Sequence, residues 1–354
     1  MNRMKQNKYL QSVLKEFFKL NSMLLLFINI SATSQVVAQE VDYSGTSVAN
    51  FLKIGVGARE MAMGDAATAT VNTAAAMYWN VAALSRIEEN VSVVISSMDW
   101  LVDTRNSYFA AALKVDGLGT FGVDFHYLDY GEIEETTVYD QDGTGRFFSA
   151  RDLAVGLGYS RSLTDRFSFG IKVKYISEVI ANASADAFGV DLGAVFTTSF
   201  FNNNLRLAAN LSNFGTKMKF SGRDLAVTYT IPGSPSNKQI PADLTTIDWD
   251  IPLLFRFGIS NYFVNNDELK ILVAYDILDS RDFDVRQNLG AEIGFSNVVF
   301  LRGGYKFNYD EVDYTAGLGF DFGGILDYGI KLDYNYLDFG VFDGLNQFTL
   351  VINL

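Results

Sequence analysis

The chain has 354 residues, no cysteine, four prolines, 49% hydrophobic residues and a formal net charge of −13. The lack of cysteine excludes disulfides, thiolate catalysis and cysteine-held metals, and the acidic balance argues against nucleic-acid binding, which needs basic patches. Mean hydropathy is +0.10, yet beyond the amino-terminal region nothing approaches the ~18 apolar residues of a membrane-crossing helix.

The amino-terminal region is ordered like a secretory signal peptide. Arg3, Lys5, Lys8, Lys15 and Lys19 form a basic stretch, residues 21–30 (NSMLLLFINI) form a short apolar core, and Val36-Val37-Ala38-Gln39 offers a cleavage region. The competing reading is an amphipathic helix of a cytosolic protein. Residues 1–39 are therefore expected to be a signal peptide, and the protein to reside in the outer membrane. These residues hold five Lys/Arg and one Glu, net +4, so the remainder carries −17.

Residues 40–88 differ in pattern from the rest of the chain. Phe51 to Ala83 is rich in Ala, Gly and Met and lacks two-residue alternation. Ala74 to Ser85 reads as one short helix carrying Met77, Tyr78 and Trp79. Gly55-Val56-Gly57 lacks the third glycine of a dinucleotide loop and fits close backbone packing better. An apolar segment placed ahead of a barrel is best housed inside it, as a plug.

From Asn90 onward the chain alternates. Side chains point to opposite faces along a strand. Phe121, Val123, Phe125 and Tyr127 oppose Gly122, Asp124 and His126. Phe167, Phe169, Ile171, Val173 and Tyr175 oppose Ser168, Gly170, Lys172 and Lys174. Leu326, Tyr328, Ile330, Leu332, Tyr334 and Tyr336 oppose Asp327, Gly329, Lys331, Asp333 and Asn335. Strands are expected at 90–100, 105–115, 118–130, 150–162, 167–180, 185–198, 205–213, 251–263, 268–278, 287–296, 298–308, 312–322, 325–337 and 345–354. Fourteen is an even number, and most are long enough to cross a tilted bilayer, whereas soluble strands average ~5–6 residues. The expected fold is all-β: a transmembrane antiparallel barrel over residues 89–354, with a short helical plug in its lumen. A soluble sandwich is the alternative that also alternates.

Connections are read as tight near Asp165, Ser296-Asn297 and Gly323-Gly324, and long at 131–149, 214–250 and 279–286. Short turns at one end and longer loops at the other suit an outer-membrane barrel.

The charges His126, Lys172, Lys174, Arg256, Glu292, Arg302, Asp321, Lys331 and Asp333 all fall on the inner faces. Lys or Arg on a lipid face costs about 2–4 kcal/mol at the midplane. Two readings are open: a network that braces the plug, or a substrate path. The single histidine has no Gly-x-Ser-x-Gly elbow beside it, so it reads as a lumen residue. Asp140 to Gly145 resembles a calcium loop only in part, because Arg151 stands where a bidentate Glu is needed. No catalytic residue, metal or cofactor is expected.

Several blocks resemble the PorV/PorQ family of Bacteroidetes outer-membrane proteins, relatives of the FadL-type barrels. They are residues 50–59 (NFLKIGVGAR), Ala62-Met63-Gly64 and Ala75-Ala76-Met77-Tyr78-Trp79-Asn80. Further blocks are 143–145 with 148–150, 152–159, 163–170, 172–176, Asn213-Phe214-Gly215 with 217–220, and Pro252 followed by Arg256 and Gly258. The family's usual Met-Gly-Gly-Ala is Met63-Gly64-Asp65-Ala66 here, and its usual Trp-Asn-Pro-Ala-Gly-Leu is Trp79-Asn80-Val81-Ala82-Ala83-Leu84. The resemblance implies fourteen strands with the plug inside. It singles out Gly55, Gly57, Arg59, Met63, Gly64, Tyr78, Trp79 and Asn80 as the plug motif. It further implies a non-enzymatic role in type IX secretion, with translocon or secreted cargo as partners beside outer-membrane lipid. The alternative is a FadL-like channel for a hydrophobic small molecule.

Overall fold

A computed structural model of the chain describes residues 45–198, 205–232, 239–323, 329–342 and 344–354. The expected signal peptide, the first residues of the expected plug, and Leu326, Asp327 and Tyr328 lie outside the described residues.

Fourteen long strands form the wall: β1 (Val91–Asp99), β2 (Arg105–Val115), β3 (Gly119–Glu134), β4 (Phe147–Ser162), β5 (Phe167–Ile180), β6 (Ala183–Thr198) and β7 (Leu205–Gly215), then β8 (Leu254–Asn265), β9 (Leu269–Ser280), β10 (Phe283–Phe295), β11 (Val299–Phe307), β12 (Tyr314–Asp321), β13 (Gly329–Asp338) and β14 (Gly344–Asn353). Each pairs antiparallel with the next in the chain. β14 returns to β1, from Ser92 opposite Asn353 to Met98 opposite Gln347. The sheet is thus a closed up-and-down barrel, the architecture that leaves no free edge in lipid.

The distribution of exposure is the reverse of a soluble protein's. On β5, Phe169, Ile171, Val173 and Tyr175 are 38–51% exposed, whereas Ser168, Lys172 and Lys174 are at most 7% exposed. Greasy residues outside and charges inside are what lipid demands, so the barrel spans a membrane and its outer face contacts lipid.

Two connections differ from the expectation. The expected loop at 279–286 is only a two-residue turn, Arg281-Asp282, because β9 and β10 keep pairing through a bulge to Ser280 and Phe283. The expected loop at 131–149 shrinks to 135–146, since β3 and β4 continue past a bulge between Asp129 and Glu132. Both extensions are polar and so resemble loop in sequence, but beyond the bilayer a strand needs no apolar face. The excursion 216–253 remains long and carries a small ribbon, Ala226–Tyr229 paired with Ile240–Asp243. It lies at the same end as 100–104, 135–146, 308–313 and 339–342, called the loop end. Short turns (116–118, 163–166, 266–268, 296–298) lie at the other end, with the start of β1 and the end of β14.

Residues 45–90 run through the barrel from the loop end to the opposite end. Ser47 bridges to Asp250 and Val48 N–H donates to Asp250 O at the loop end. Along this segment come a 3-10 turn (Asn50–Lys53), helix α1 (Ala58–Ala62), helix α2 (Ala76–Trp79) and a second 3-10 turn (Val81–Arg86). The single helix expected over 74–85 is broken at Asn80, which is extended (φ −165°, ψ 103°). There its side chain caps the next turn by accepting from Ala82 N–H, a local bond that competes with helix continuation. Phe51, Val56, Met63, Met77, Trp79 and Leu84 are all buried, so the protein's core lies between this inner segment and the wall.

Candidate functional site

The inner segment is held on two sides of the wall. Around α1, Arg59 donates to Glu292 through Nε (2.9 Å) and Nη2 (3.2 Å). Glu292 stands opposite Arg302 across β10 and β11 and accepts a third bond, from Arg302, at 2.7 Å. Arg302 continues to Asp333 at 2.5 Å. Lys306 reaches Asp65 of the segment at 2.5 Å, and Lys331 pairs with Asp321 at 3.0 Å. Backbone joins in: Ala58 N–H donates to Thr349 Oγ1 (2.8 Å), and Thr315 Oγ1 donates to Ala62 O (3.0 Å). Buried charges are tolerable only when paired in this way.

The second attachment surrounds α2. Lys172 donates to Met77 O (3.0 Å) and pairs with Asp124 (2.6 Å). Lys174 pairs with Asp191 (2.8 Å) and bonds Asn213. Asn80 donates to Thr68 O (3.1 Å) and to Ala194 O on the wall (3.2 Å). Trp79 Nε1–H donates to Val56 O (2.8 Å) and Tyr78 O–H to Leu52 O (3.1 Å). The Arg256 guanidinium lies over the rings of Tyr78 and Trp79, 5.3 and 5.4 Å from their centroids. His126 Nε2–H donates to Asn106 Oδ1 at 2.8 Å, and the ring is surrounded by Phe51, Tyr78 and Tyr108.

Inward glycines make room for both attachments. A Cβ on Gly304 would collide with the backbone of Gly64, and one on Gly290 with Met63. On the other side a Cβ on Gly170 would come within 2.6 Å of Ala82 N, and one on Gly122 or Gly158 would strike Met77. Gly57 and Gly64 have φ of +84° and +63°, a region glycine enters without penalty. Gly55 packs its backbone near Met61 and Asp65.

The structure thus gathers Arg59, Glu292, Arg302 and Asp333 into one network, and Lys172 and Lys174 into another. Lys331–Asp321 stands as a separate pair and His126 lies in an aromatic cluster. Further wall residues outside the expected set complete the picture: Lys306, Asp124, Asp191, and Asp276, whose carboxylate accepts from Thr68 N–H at 2.8 Å. Each lies in an expected strand at an inward position, so strand parity is the signal that finds them. Among the described residues no three His, Cys, Asp or Glu side chains come together as a metal site.

Two cavities flank α1. One of about 230 Å³ opens toward the loop end among Tyr78, Trp100, Arg256, Arg286 and Phe339. Another, about 140 Å³, lies toward the opposite end beside Arg59, Asn297 and Lys331. They share no lining residue.

Residues 37–231, more than half of the chain, match the family model described as Type IX secretion system protein PorV. The chain belongs to the PorV family. The match covers the inner segment, β1–β7 and the start of the long excursion, so the PorV likeness includes the α2 attachment. The protein is accordingly a type IX secretion barrel of the outer membrane. Among solved structures, the Pseudomonas putida toluene transporter TodX aligns at TM-score 0.52 and 14% identity, covering 84% of this chain and 96% of its own. A Pseudomonas aeruginosa FadL homologue aligns at TM-score 0.52 and 12% identity over 87% and 99%. The Ralstonia pickettii toluene transporter TbuX aligns at TM-score 0.50 and 14% identity over 84% and 97%. At these identities the likeness establishes a FadL-like fold alone. A comparison with curated proteins finds no match.

Proposed function

We propose that this PorV-family barrel is a closed platform, with residues 45–88 acting as a lasting plug and the loop end receiving the translocon or secreted cargo. The observation that carries this reading is the double anchorage of the inner segment. Ion pairs at α1 (Arg59–Glu292 and Lys306–Asp65), hydrogen bonds at α2 (Lys172 to Met77 O and Asn80 to Ala194 O) and two glycine niches fix it to opposite parts of the wall, and the flanking cavities share no lining residue. With the lumen filled, the surface left for partners is the loops, of which 216–253 is the longest. No catalytic step is assigned. Deleting the gene should leave cargo of the type IX pathway inside the cell; normal secretion in the deletion strain would defeat the proposal.

The second reading, a channel for a hydrophobic small molecule, is favoured by the FadL-like fold and the aromatic cavity at the loop end. It requires the inner segment to move. Hydrocarbon uptake that falls on deletion while secretion stays normal would favour this reading over the first.

A further inference from the structure

Six Lys and Arg residues among the described residues are buried: Arg59, Lys172, Lys174, Arg256, Arg302 and Lys306. Five have a carboxylate within 4.0 Å. Arg256, 5% exposed, has none. Its one hydrogen bond is a 3.5 Å contact to the Tyr78 hydroxyl, and its plane lies against Tyr78 and Trp79. Arg286 lines the same cavity and sits between the rings of Phe283 and Tyr309, 4.1 and 4.4 Å from their centroids, with its Nε buried and without an acceptor. The other two cations there, Lys53 and Lys306, are neutralised by Asp282 and Asp65. Neither guanidinium in the cavity has a carboxylate within 4.0 Å, and six aromatic rings line the walls around them.

Shielded positive charge of this kind calls for an anion. A guanidinium fork matches a carboxylate, donating two parallel bonds, and the surrounding rings suit a flat apolar body. At about 230 Å³ the space falls below the ~300–1,000 Å³ of pockets for drug-sized ligands, so the ligand is small. We propose that this cavity binds a small arylcarboxylate, its carboxylate held by Arg256 and Arg286 and its ring lodged among Tyr78, Trp100 and Phe339. This goes beyond the secretion role and does not depend on it.

Trp79 and Trp100, two of the three tryptophans, line the cavity, so intrinsic fluorescence reads occupancy. Phenylacetate titrated into the protein in nanodiscs should give a saturable change. Its neutral isostere phenylacetamide should bind at least ~10-fold more weakly, and the cation phenethylamine not at all. Arg256→Gln and Arg286→Gln should each weaken phenylacetate by at least ~10-fold with heat-modifiable migration unchanged. If Arg256→Gln fails to fold, Arg286→Gln decides, because Arg286 contacts no residue of the inner segment among the bonds described. The proposal is overturned if acid and amide bind equally, if only a long-chain carboxylate such as dodecanoate binds, or if the wild type shows no saturable response up to ~10 mM. None of these outcomes alters the secretion test.

Discussion

Glu292 is the residue on which the α1 attachment turns. It accepts from both Arg59 and Arg302, so it ties the inner segment to the wall and one strand to the next. Breaking a buried pair leaves a desolvated charge and costs about 3–5 kcal/mol. Because Arg302 keeps Asp333 and Arg59 keeps Glu60, Glu292→Gln should fall at the low end, near ~3 kcal/mol. It should appear as a lower temperature for loss of heat-modifiable migration. These partners are only half legible in the sequence. Parity places Glu292, Arg302 and Lys172 inward, because lipid rejects charge. It cannot pair Arg59 with Glu292, since 233 residues separate them.

Elements tell the same story at larger size. All fourteen strands can be read from alternation, because a membrane penalises any break in it. The strand ends beyond the bilayer feel no such penalty, so the β9–β10 turn and the extended β3–β4 pair look like loops in sequence. Asn80 likewise looks helical, although its amide bonds hold it extended between α2 and the next turn. Which atoms of the inner segment the wall glycines admit appears only once Gly64 and Ala82 lie against them. That fit is testable on neighbouring residues. Gly304 faces Gly64, whereas a Cβ on Gly303 would meet nothing nearer than 3.9 Å. Gly304→Val should dislodge the α1 attachment and expose Arg59 to trypsin, while Gly303→Val should leave the cleavage pattern unchanged. Equal cleavage in the two variants would remove the niche argument.

At the scale of the molecule, the barrel is greasy outside, charged inside and threaded by the inner segment. A lumen filled by a doubly anchored segment should pass few ions. The wild type in planar bilayers should be nearly silent, and Gly304→Val, if it frees the segment, should conduct. Open-pore currents from the wild type would contradict the lasting plug. The fold and its membrane setting are legible in sequence because one physical rule, lipid against strand, governs every residue of the wall. Filling of the lumen obeys no such repeat; it depends on contacts between residues far apart in the chain.

The inner segment runs from the loop end to the start of β1, and β1 is sealed by β14, the last strand of the chain. Gln347 bonds Ser96 across 251 residues of sequence. The bond that closes the wall therefore joins residues at nearly opposite ends of the described chain, a contact of the long sequence separation whose loop-closure entropy slows folding.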